Sequence, residues 1–318
     1  MQENTTEYPV LRGLVEDTAG FFATSWRRLP VALRPRTPWA PTFGIEDLTH
    51  ALNGGLLRQP YLEMVDSGRF LTGAAYTSPR TVAKFVTHGY ADPAKVREQV
   101  RGGATLLLRN IEHWHAPTRD LTHRLGAELG RRTEAFFFLT PPNHQGLPPH
   151  RDDADVFVIQ LQGSKEWVVH APPTDGHWES AETSHPGDVS LKTVLQAGEV
   201  LYVPRGAAHH ARAADKNHSA HLSLTIHEIG TADLVTAARQ ALAAALDLPQ
   251  RPVDESELLA VARRLLEHQR AHLHALTPEQ LIVSARTAML AAAVRPPLPL
   301  DFTAVPRSSP QDLVERSQ

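Results

Sequence analysis

The side chains best suited to chemistry form a His-x-Asp motif, His150 and Asp152, within TPPNHQGLPPHRDDADVFVIQLQGSKEW at positions 140–167. Alternate residues of an extended chain point to the same side, so this imidazole and this carboxylate would project together. With a second histidine, the pair would complete the set of two histidines and one carboxylate that holds iron(II) in non-haem oxygenases. Such a set leaves coordination positions open for a co-substrate and for O2.

The motif needs its context, because a chain with 18 histidines contains short patterns of this kind by chance. A competitor, His177-Trp178-Glu179, lies among Pro, Thr, Asp, Gly and Ser residues that predict a loop. After Asp152, the runs DVFVIQLQ and KEWVVH, separated by Gly163-Ser164, predict two antiparallel strands. The motif would then lie at the mouth of the first strand, and its face would be continued by Val156, Val158 and Gln160.

A candidate second histidine follows a turn in GEVLYVPRGAAHHARA, at positions 198–213. EVLYV predicts a short strand, Pro204-Arg205-Gly206 a turn, and HHARA the start of another strand. In a small antiparallel barrel, that turn would return His209 to the His-x-Asp motif, whereas His210 would point the other way. Alone, His209 is more typical of an ordinary packed or surface residue, but the upstream motif favours the metal interpretation.

Three blocks of the chain resemble the JmjC-type cupins of the ribosomal oxygenase group: positions 140–167, positions 198–211 and SAHLSLTI at 219–226. That group comprises iron(II)- and 2-oxoglutarate-dependent protein hydroxylases that consume O2. The resemblance implies that iron is held by His150, Asp152 and His209. It also implies that the co-substrate is bound by Lys165 at its distal carboxylate, with Thr140 and Ser219 as further contacts. Without the resemblance, Lys165 would be interpreted as a solvated lysine of a hairpin turn.

The predicted fold is mixed α and β. Its core is a double-stranded β-helix, the jelly roll of cupin and JmjC proteins, with N-terminal helices and a C-terminal helical region. We expect residues 1–15 to be a loose lead-in and 16–229 to be the catalytic domain. The helical region is expected at 230–295, and 296–318 is expected to be a Pro-rich tail. Relatives in the group often carry a C-terminal winged-helix domain, and this tail is too short to form one.

The C-terminal region changes to a helical periodicity, and Asp254 with Glu257 has the spacing of an N-terminal capping box. The resemblance implies that these helices form a homodimer. The alternative is a helical cap that packs within one subunit. His268 and His272 have metal-compatible spacing on one of these helices, but a solvated face is the favoured interpretation.

Composition excludes several classes of protein. The 318 residues are 42% hydrophobic, which supports a sizeable core, and the net charge of −3 argues against a general nucleic-acid binder. The chain has no Cys, so disulfides and thiolate metal sites are excluded. The first residues lack the pattern of a signal peptide, and no apolar run has the length of a membrane span. We therefore expect a cytoplasmic protein, and the abundance of Ala and Arg indicates a bacterial source.

The expected function is that of a 2-oxoglutarate-dependent dioxygenase that hydroxylates a protein side chain, possibly Arg or His of a ribosomal protein. One departure bears on the substrate: relatives commonly have Asn and Tyr flanking the co-substrate where this chain has Phe136 and Phe138. The same chemistry on a peptide natural product or a small molecule is therefore an alternative. A non-catalytic, metal-binding cupin is a second alternative. His177 and His185, in the polar insert between the landmarks, are weak candidates for substrate contact.

Overall fold

A computed structural model describes residues 8–36, 39, 42–243 and 246–293. The N-terminal part contains helices α1 (Pro9–Val15), α2 (Thr18–Thr24), α3 (Ile45–Gly54) and α4 (Pro93–Arg101), and strands β1 (Val31–Leu33), β2 (Leu62–Asp66), β3 (Arg69–Phe70), β4 (Thr77–Val82) and β5 (Phe85–Ala91). The central part contains β6 (Thr105–Leu108), α5 (Ala116–Leu129), β7 (Thr133–Thr140), β8 (Ala154–Gln162), β9 (Ser164–His170), β10 (Val189–Gln196), β11 (Val200–Val203), β12 (His209–Ala213) and β13 (Ser219–His227). The C-terminal part contains α6 (Thr231–Leu242), α7 (Glu255–Ala275) and α8 (Pro278–Ala291).

The strands form a large and a small antiparallel sheet, with β4 and β5 as a separate hairpin. The large sheet has eight strands in the order β1-β11-β8-β13-β7-β6-β2-β3, and the small sheet has the order β10-β9-β12. A cluster of apolar side chains from both sheets, including Val158, Trp167 and Leu201, fills the space between them. This arrangement is the predicted jelly roll, and it confirms the expected fold class.

The predicted pairing of β8 with β9 is wrong. β8 pairs with β11 and β13, so both of its edges are occupied, and β9 pairs with β10 and β12 in the other sheet. The chain crosses between the sheets at Gly163, which has φ +63°, and a Cβ there would come within 2.5 Å of the carbonyl oxygen of His218. The Gly163-Ser164 signal therefore marks a crossover between sheets rather than a hairpin turn.

The expectation of a loose lead-in at residues 1–15 is wrong for its second half. Helix α1 buries Leu11 and Leu14 completely. Its first turn is held by the carboxylate of Glu128 on α5, which accepts hydrogen bonds from the backbone N–H groups of Val10 at 2.9 Å and Leu11 at 3.0 Å. These contacts satisfy amide groups that a helix start leaves without partners. Residues 1–7 lie outside the described residues.

The helices that follow β13 begin where the sequence predicts. The side chain of Asp254 accepts a hydrogen bond from the backbone N–H of Glu257 at 2.8 Å, and Thr277 forms a capping box with Gln280. Among the described residues, no helix is both long and apolar enough to cross a membrane. The Pro-rich tail expected at 296–318 lies outside the described residues.

One buried carboxylate connects three segments that lie far apart in the chain. Glu228, whose side chain is 6% exposed, accepts hydrogen bonds or ion pairs from Arg27 at 2.7 Å, Arg131 at 2.6 Å and Arg286 at 2.9 Å. The three arginines come from the segment after α2, the segment after α5, and α8. We call these four residues the Glu228 cluster, and it fixes α8 against the barrel.

Candidate metal and co-substrate site

The three predicted metal ligands lie together. One ligand atom from each of His150, Asp152 and His209 lies within 4.8 Å of the others, and no other such group of three occurs in the described ranges of the chain. The Nε2 atom of His150 lies 3.8 Å from Asp152 Oδ1, and the Nε2 atom of His209 lies 3.5 Å from Asp152 Oδ2. Two imidazoles and one carboxylate suit a divalent transition metal and leave part of its coordination sphere open.

Both histidines are oriented for ligation by their second nitrogen. The Nδ1 atom of His150 lies 2.8 Å from the carbonyl oxygen of Pro148, and that of His209 lies 3.1 Å from the carbonyl oxygen of Ala207. A carbonyl only accepts, so each Nδ1 carries the proton and each Nε2 presents a lone pair. Burial, followed by the neighbouring His150, lowers the pKa of His209 and keeps it neutral. The donors present therefore fit a metal ion.

The ligands are held by main-chain pairing at the mouth of the barrel, not by β8 itself. β8 begins at Ala154, so the first two ligands precede it. His150 and His209 pair as an isolated antiparallel bridge, with N–H to carbonyl distances of 2.9 and 3.2 Å. Val156 and Val158 on β8 line the cavity, as predicted. Gln160 does not line it, and its side chain donates a hydrogen bond to Ser219 instead.

Lys165 lies at the inner end of the cavity and is 2% exposed. Its Nζ atom lies 3.0 Å from Thr140 Oγ1 and 3.4 Å from His221 Nδ1, and no carboxylate pairs with it among the described residues. Burial lowers the pKa of Lys165 to about 7. A buried ammonium without a counter-charge is costly, so this position fits an anionic ligand.

The two further co-substrate candidates differ in position. Thr140 is bonded to Lys165 through its hydroxyl group. Ser219 is the strand partner of Thr140 across β13 and β7, but its hydroxyl accepts a hydrogen bond from Gln160 at 2.8 Å, and neither Thr140 nor Ser219 lines the cavity directly. Only Thr140 therefore lies in contact with the predicted anion-binding group.

Two residues of this site were missed from the sequence, His221 and Trp167. The ring of His221 stacks on Phe138 with centroids 4.7 Å apart and an angle of 5° between planes. Trp167 lies between the two ends of the site, with its ring 6.1 Å from His209 and 5.5 Å from His221. Alternation along SAHLSLTI could have indicated His221, because it shares a strand face with Ser219.

The cavity has a volume of about 400 Å³, and part of its wall is aromatic. Phe136 and Phe138 both line it, while Phe137 between them is buried on the opposite face of β7. The guanidinium of Arg109 lies 6.0 Å from the ring centroid of Phe136 and 5.8 Å from that of Phe70. The two phenylalanines thus give this part of the cavity wall an apolar surface.

Backbone hydrogen bonds join the insert at 171–188 to the segment that carries the candidate ligands His150 and Asp152. The backbone N–H of Arg151 donates to the carbonyl of Ala181 at 3.0 Å, and that of Thr183 donates to the carbonyl of Pro149 at 2.8 Å. Ser180, Ala181 and Glu182 line the cavity. His177 and His185 are exposed and do not line it, so the structure gives them no place at the site.

Comparison with known proteins matches this site to one family. Residues 114–234 match the JmjC domain. Human ribosomal oxygenase 1 is 33% identical over 222 residues, which are 66% of this chain and 33% of that protein. The bifunctional lysine-specific demethylase and histidyl-hydroxylase NO66 of Drosophila melanogaster is 39% identical over 149 residues, which are 44% of this chain and 22% of that protein. The chain thus spans about a third or less of the length of these relatives.

Solved structures agree with the fold. A crystal structure of Escherichia coli ribosomal oxygenase YcfD superposes with a TM-score of 0.57 at 18% identity, and the match covers 95% of this chain and 78% of that one. A YcfD structure in complex with cobalt and 2-oxoglutarate has a TM-score of 0.52 at 19% identity, covering 82% and 67%. The jelly roll and its additional helices therefore form a known architecture.

Proposed function

This chain carries a JmjC domain of the ribosomal oxygenase group, and on that premise we propose that it is an iron(II)- and 2-oxoglutarate-dependent oxygenase. Its reaction would hydroxylate a protein side chain, with Arg or His of a ribosomal protein as the first candidates. One observation supports this most: a buried ammonium without a carboxylate partner lies at the inner end of a cavity whose mouth holds two imidazoles and a carboxylate. A metal-storage or interaction module has no use for that ammonium.

In this proposal, His150, Asp152 and His209 hold the iron, and Lys165 with Thr140 binds the distal carboxylate of 2-oxoglutarate. The metal and co-substrate together supply the oxidising chemistry: substrate C–H, O2 and 2-oxoglutarate give the alcohol, succinate and CO2. The chain's own residues position these groups and exclude water. The indole N–H of Trp167 is buried without an acceptor in the described structure, which also fits a polar ligand between the metal and Lys165.

An anaerobic titration with Fe(II) and then 2-oxoglutarate tests the proposal through the visible charge-transfer band of the chelate. We expect wild-type protein to develop the band, and Lys165→Met to require about 100-fold more 2-oxoglutarate, because truncating one partner of a buried charge pair costs several kcal/mol. Wild-type protein that develops no band would contradict the function.

The pH dependence of the same titration separates Lys165 from other contacts. Because burial lowers the pKa of free Lys165 to about 7, the side chain is an ammonium below that pH, whereas above it the neutral amine must take up a proton to bind a carboxylate. The affinity for 2-oxoglutarate should therefore fall as pH rises above 7, by up to about tenfold per unit. The affinity of Lys165→Met should not change with pH in this way. If both proteins showed the same pH dependence, the titrating group would not be Lys165.

A small molecule or peptide natural product is the second candidate substrate, and Phe136 favours it. Its ring gives the outer cavity an apolar wall beside Arg109, where a hydrogen-bonding partner for a polar side chain is expected in relatives. Incubation with ribosomal proteins followed by mass spectrometry distinguishes the two: a gain of one oxygen atom on a ribosomal protein supports the first candidate.

A homodimer through the C-terminal helices is part of the same proposal, with 16–229 as the catalytic domain and 230–295 as the dimerisation region. Helix α7 has 21 residues and buries none of them within the described chain. Its leucines at heptad spacing, Leu259, Leu266 and Leu273, are 52%, 51% and 57% exposed. An apolar stripe of this kind is typical of a helix that packs against another copy.

Sedimentation velocity tests the dimer. We expect wild-type protein to sediment at twice the chain mass of 35.0 kDa, and the double variant Leu259→Glu, Leu266→Glu to sediment at the chain mass, because buried carboxylates disfavour an apolar interface. Circular dichroism controls for loss of the helix. Wild-type protein that remains monomeric at about 100 μM would contradict the dimer.

A further inference from the structure

The ammonium of Lys165 is held by more than one neighbour, and the least expected of these is His221. A lysine ammonium has three N–H donors and no acceptor. Thr140 Oγ1 lies 3.0 Å from Nζ and His221 Nδ1 lies 3.4 Å from it, so two donors already have directions. One donor is left to face the cavity.

His221 is well suited to hold a cation in place. It is 2% exposed, and its ring is fixed between the parallel ring of Phe138 and the edge-on ring of Trp167. The Nζ atom of Lys165 lies 5.8 Å from the ring centroids of both Phe138 and Trp167, within reach of the attraction between a cation and an aromatic face. Lys165 thus lies among three rings that pack against one another.

The protonation state of His221 follows from its neighbour. Only a lone pair can face an ammonium, so Nδ1 is the unprotonated nitrogen and Nε2 carries the proton. Burial, followed by the charge of Lys165, keeps the pKa of His221 well below its ordinary value, which agrees with a neutral ring. His221 therefore acts as an acceptor for Lys165 rather than as a second cation.

The strand register explains why these residues meet. His221 on β13 is the direct partner of Phe138 on β7, and Ser219 of Thr140. Lys165 and Trp167 alternate along β9 in the small sheet and enter the same cavity from the other side. The acceptor and the ammonium therefore come from opposite sheets and meet at the inner end of the cavity.

We propose that His221 is a positioning residue for the co-substrate. Its Nδ1 fixes the Lys165 ammonium so that the one remaining N–H meets the distal carboxylate of a dicarboxylic 2-oxo acid. This inference rests on the proposed function and extends it: His221 sets the preference for 2-oxoglutarate over 2-oxo acids that lack the second carboxylate. Phe138 supports this arrangement by its stack on His221, so this phenylalanine serves the co-substrate end of the cavity and Phe136 the outer end.

The test is calorimetric binding of 2-oxoglutarate and of 2-oxobutanoate to Mn(II)-loaded protein, which reads affinity without turnover. His221→Phe keeps an aromatic ring for the stack and removes the acceptor. We expect its affinity for 2-oxoglutarate to fall about tenfold or more, as for a lost hydrogen bond to a charged group. Its affinity for 2-oxobutanoate and for Mn(II) should change less than about twofold, because neither depends on Lys165.

His221→Asn is the matched variant, since its amide oxygen can replace Nδ1 as an acceptor. We expect it to recover 2-oxoglutarate affinity to within about threefold of wild type. The role of His221 would be overturned if His221→Phe lost equal affinity for both oxo acids, or lost no affinity for 2-oxoglutarate. The proposed function would still stand in that case, provided that wild-type protein binds 2-oxoglutarate. Wild-type protein that binds neither oxo acid would instead overturn the proposed function itself, and this inference with it.

Discussion

Asp152→Ala is expected to abolish tight iron binding and co-substrate turnover together. Asp152 supplies the one anionic ligand of the proposed set, and its two oxygens lie 3.8 Å from His150 Nε2 and 3.5 Å from His209 Nε2. Loss of a residue that only orients a ligand lowers metal affinity by 10- to 100-fold in general, so loss of a ligand should exceed about 100-fold. Turnover of 2-oxoglutarate should fall at least about 1000-fold, since the metal contributes several kcal/mol.

Competition with a chromogenic chelator measures the affinity, and succinate formation measures turnover. The chain provides a matched control in Glu179→Ala, which removes the carboxylate of the exposed His177-Trp178-Glu179 pattern in the insert. That variant should bind iron as wild type does. Iron affinity of Asp152→Ala within about threefold of wild type, or a loss in Glu179→Ala, would move the metal site away from the His-x-Asp motif.

Glu228→Gln should destabilise the fold more than any surface change. The substitution keeps the shape of the side chain but removes the shared counter-charge, and of the three arginines only Arg27 keeps another carboxylate within the described part of the chain, Asp155 at 3.3 Å. Removing one partner from a buried ion pair costs about 3–5 kcal/mol, and the lower end of that range is expected here because Arg27 and Arg286 are 31% and 36% exposed. The measurement is the urea midpoint of unfolding, with Glu279→Gln as control: Glu279 is exposed in the first turn of α8, where the change should cost less than about 1 kcal/mol.

The effect of Glu228 should depend on pH in a defined direction. Burial acts to raise the pKa of Glu228, but the hydrogen bond from Arg286 and the charge of Arg27 outweigh it and lower the pKa to about 2. A carboxyl group with a depressed pKa stabilises the fold above its unfolded pKa, about 4.3, and loses that contribution as pH falls through the folded pKa. The difference in free energy of unfolding between wild type and Glu228→Gln should therefore become smaller as the pH falls from about 4.5 towards 2. A difference that stays constant over this range would contradict the role of the charge.

The features that could be predicted from the sequence depend on short stretches of the chain. His150 and Asp152 were found because two spaced ligands need only a short extended segment, and His209 because a turn signal precedes it. The pairing of β9 was not predictable, since alternation indicates which faces of a strand are buried but not which strand lies beside it. β8 is buried on both faces, a pattern that suits a central strand but does not identify its two neighbours.

The other misses depended on distant partners. The segment PVLRGLV is too short to be a convincing helix alone, and α1 is held by Glu128 of α5, far along the chain. His221 lies within a block that the family resemblance had already marked, yet its role depends on Lys165 from the other sheet. The resemblance had placed Phe138 beside the co-substrate, but its stack on His221 depends on the pairing of β7 with β13 and was not predicted.

The bridge between His150 and His209 also sets when during biosynthesis the site can exist. A nascent chain that has emerged only as far as Asp152 carries two of the three ligands, but the strand that brings the third is not yet made. Because this contact is distant in sequence, it closes only after the loop between the sheets has been ordered. The proposed ligand set would therefore be complete only after β12 has been made, so an ion held there would stabilise the native chain rather than guide the first steps of folding.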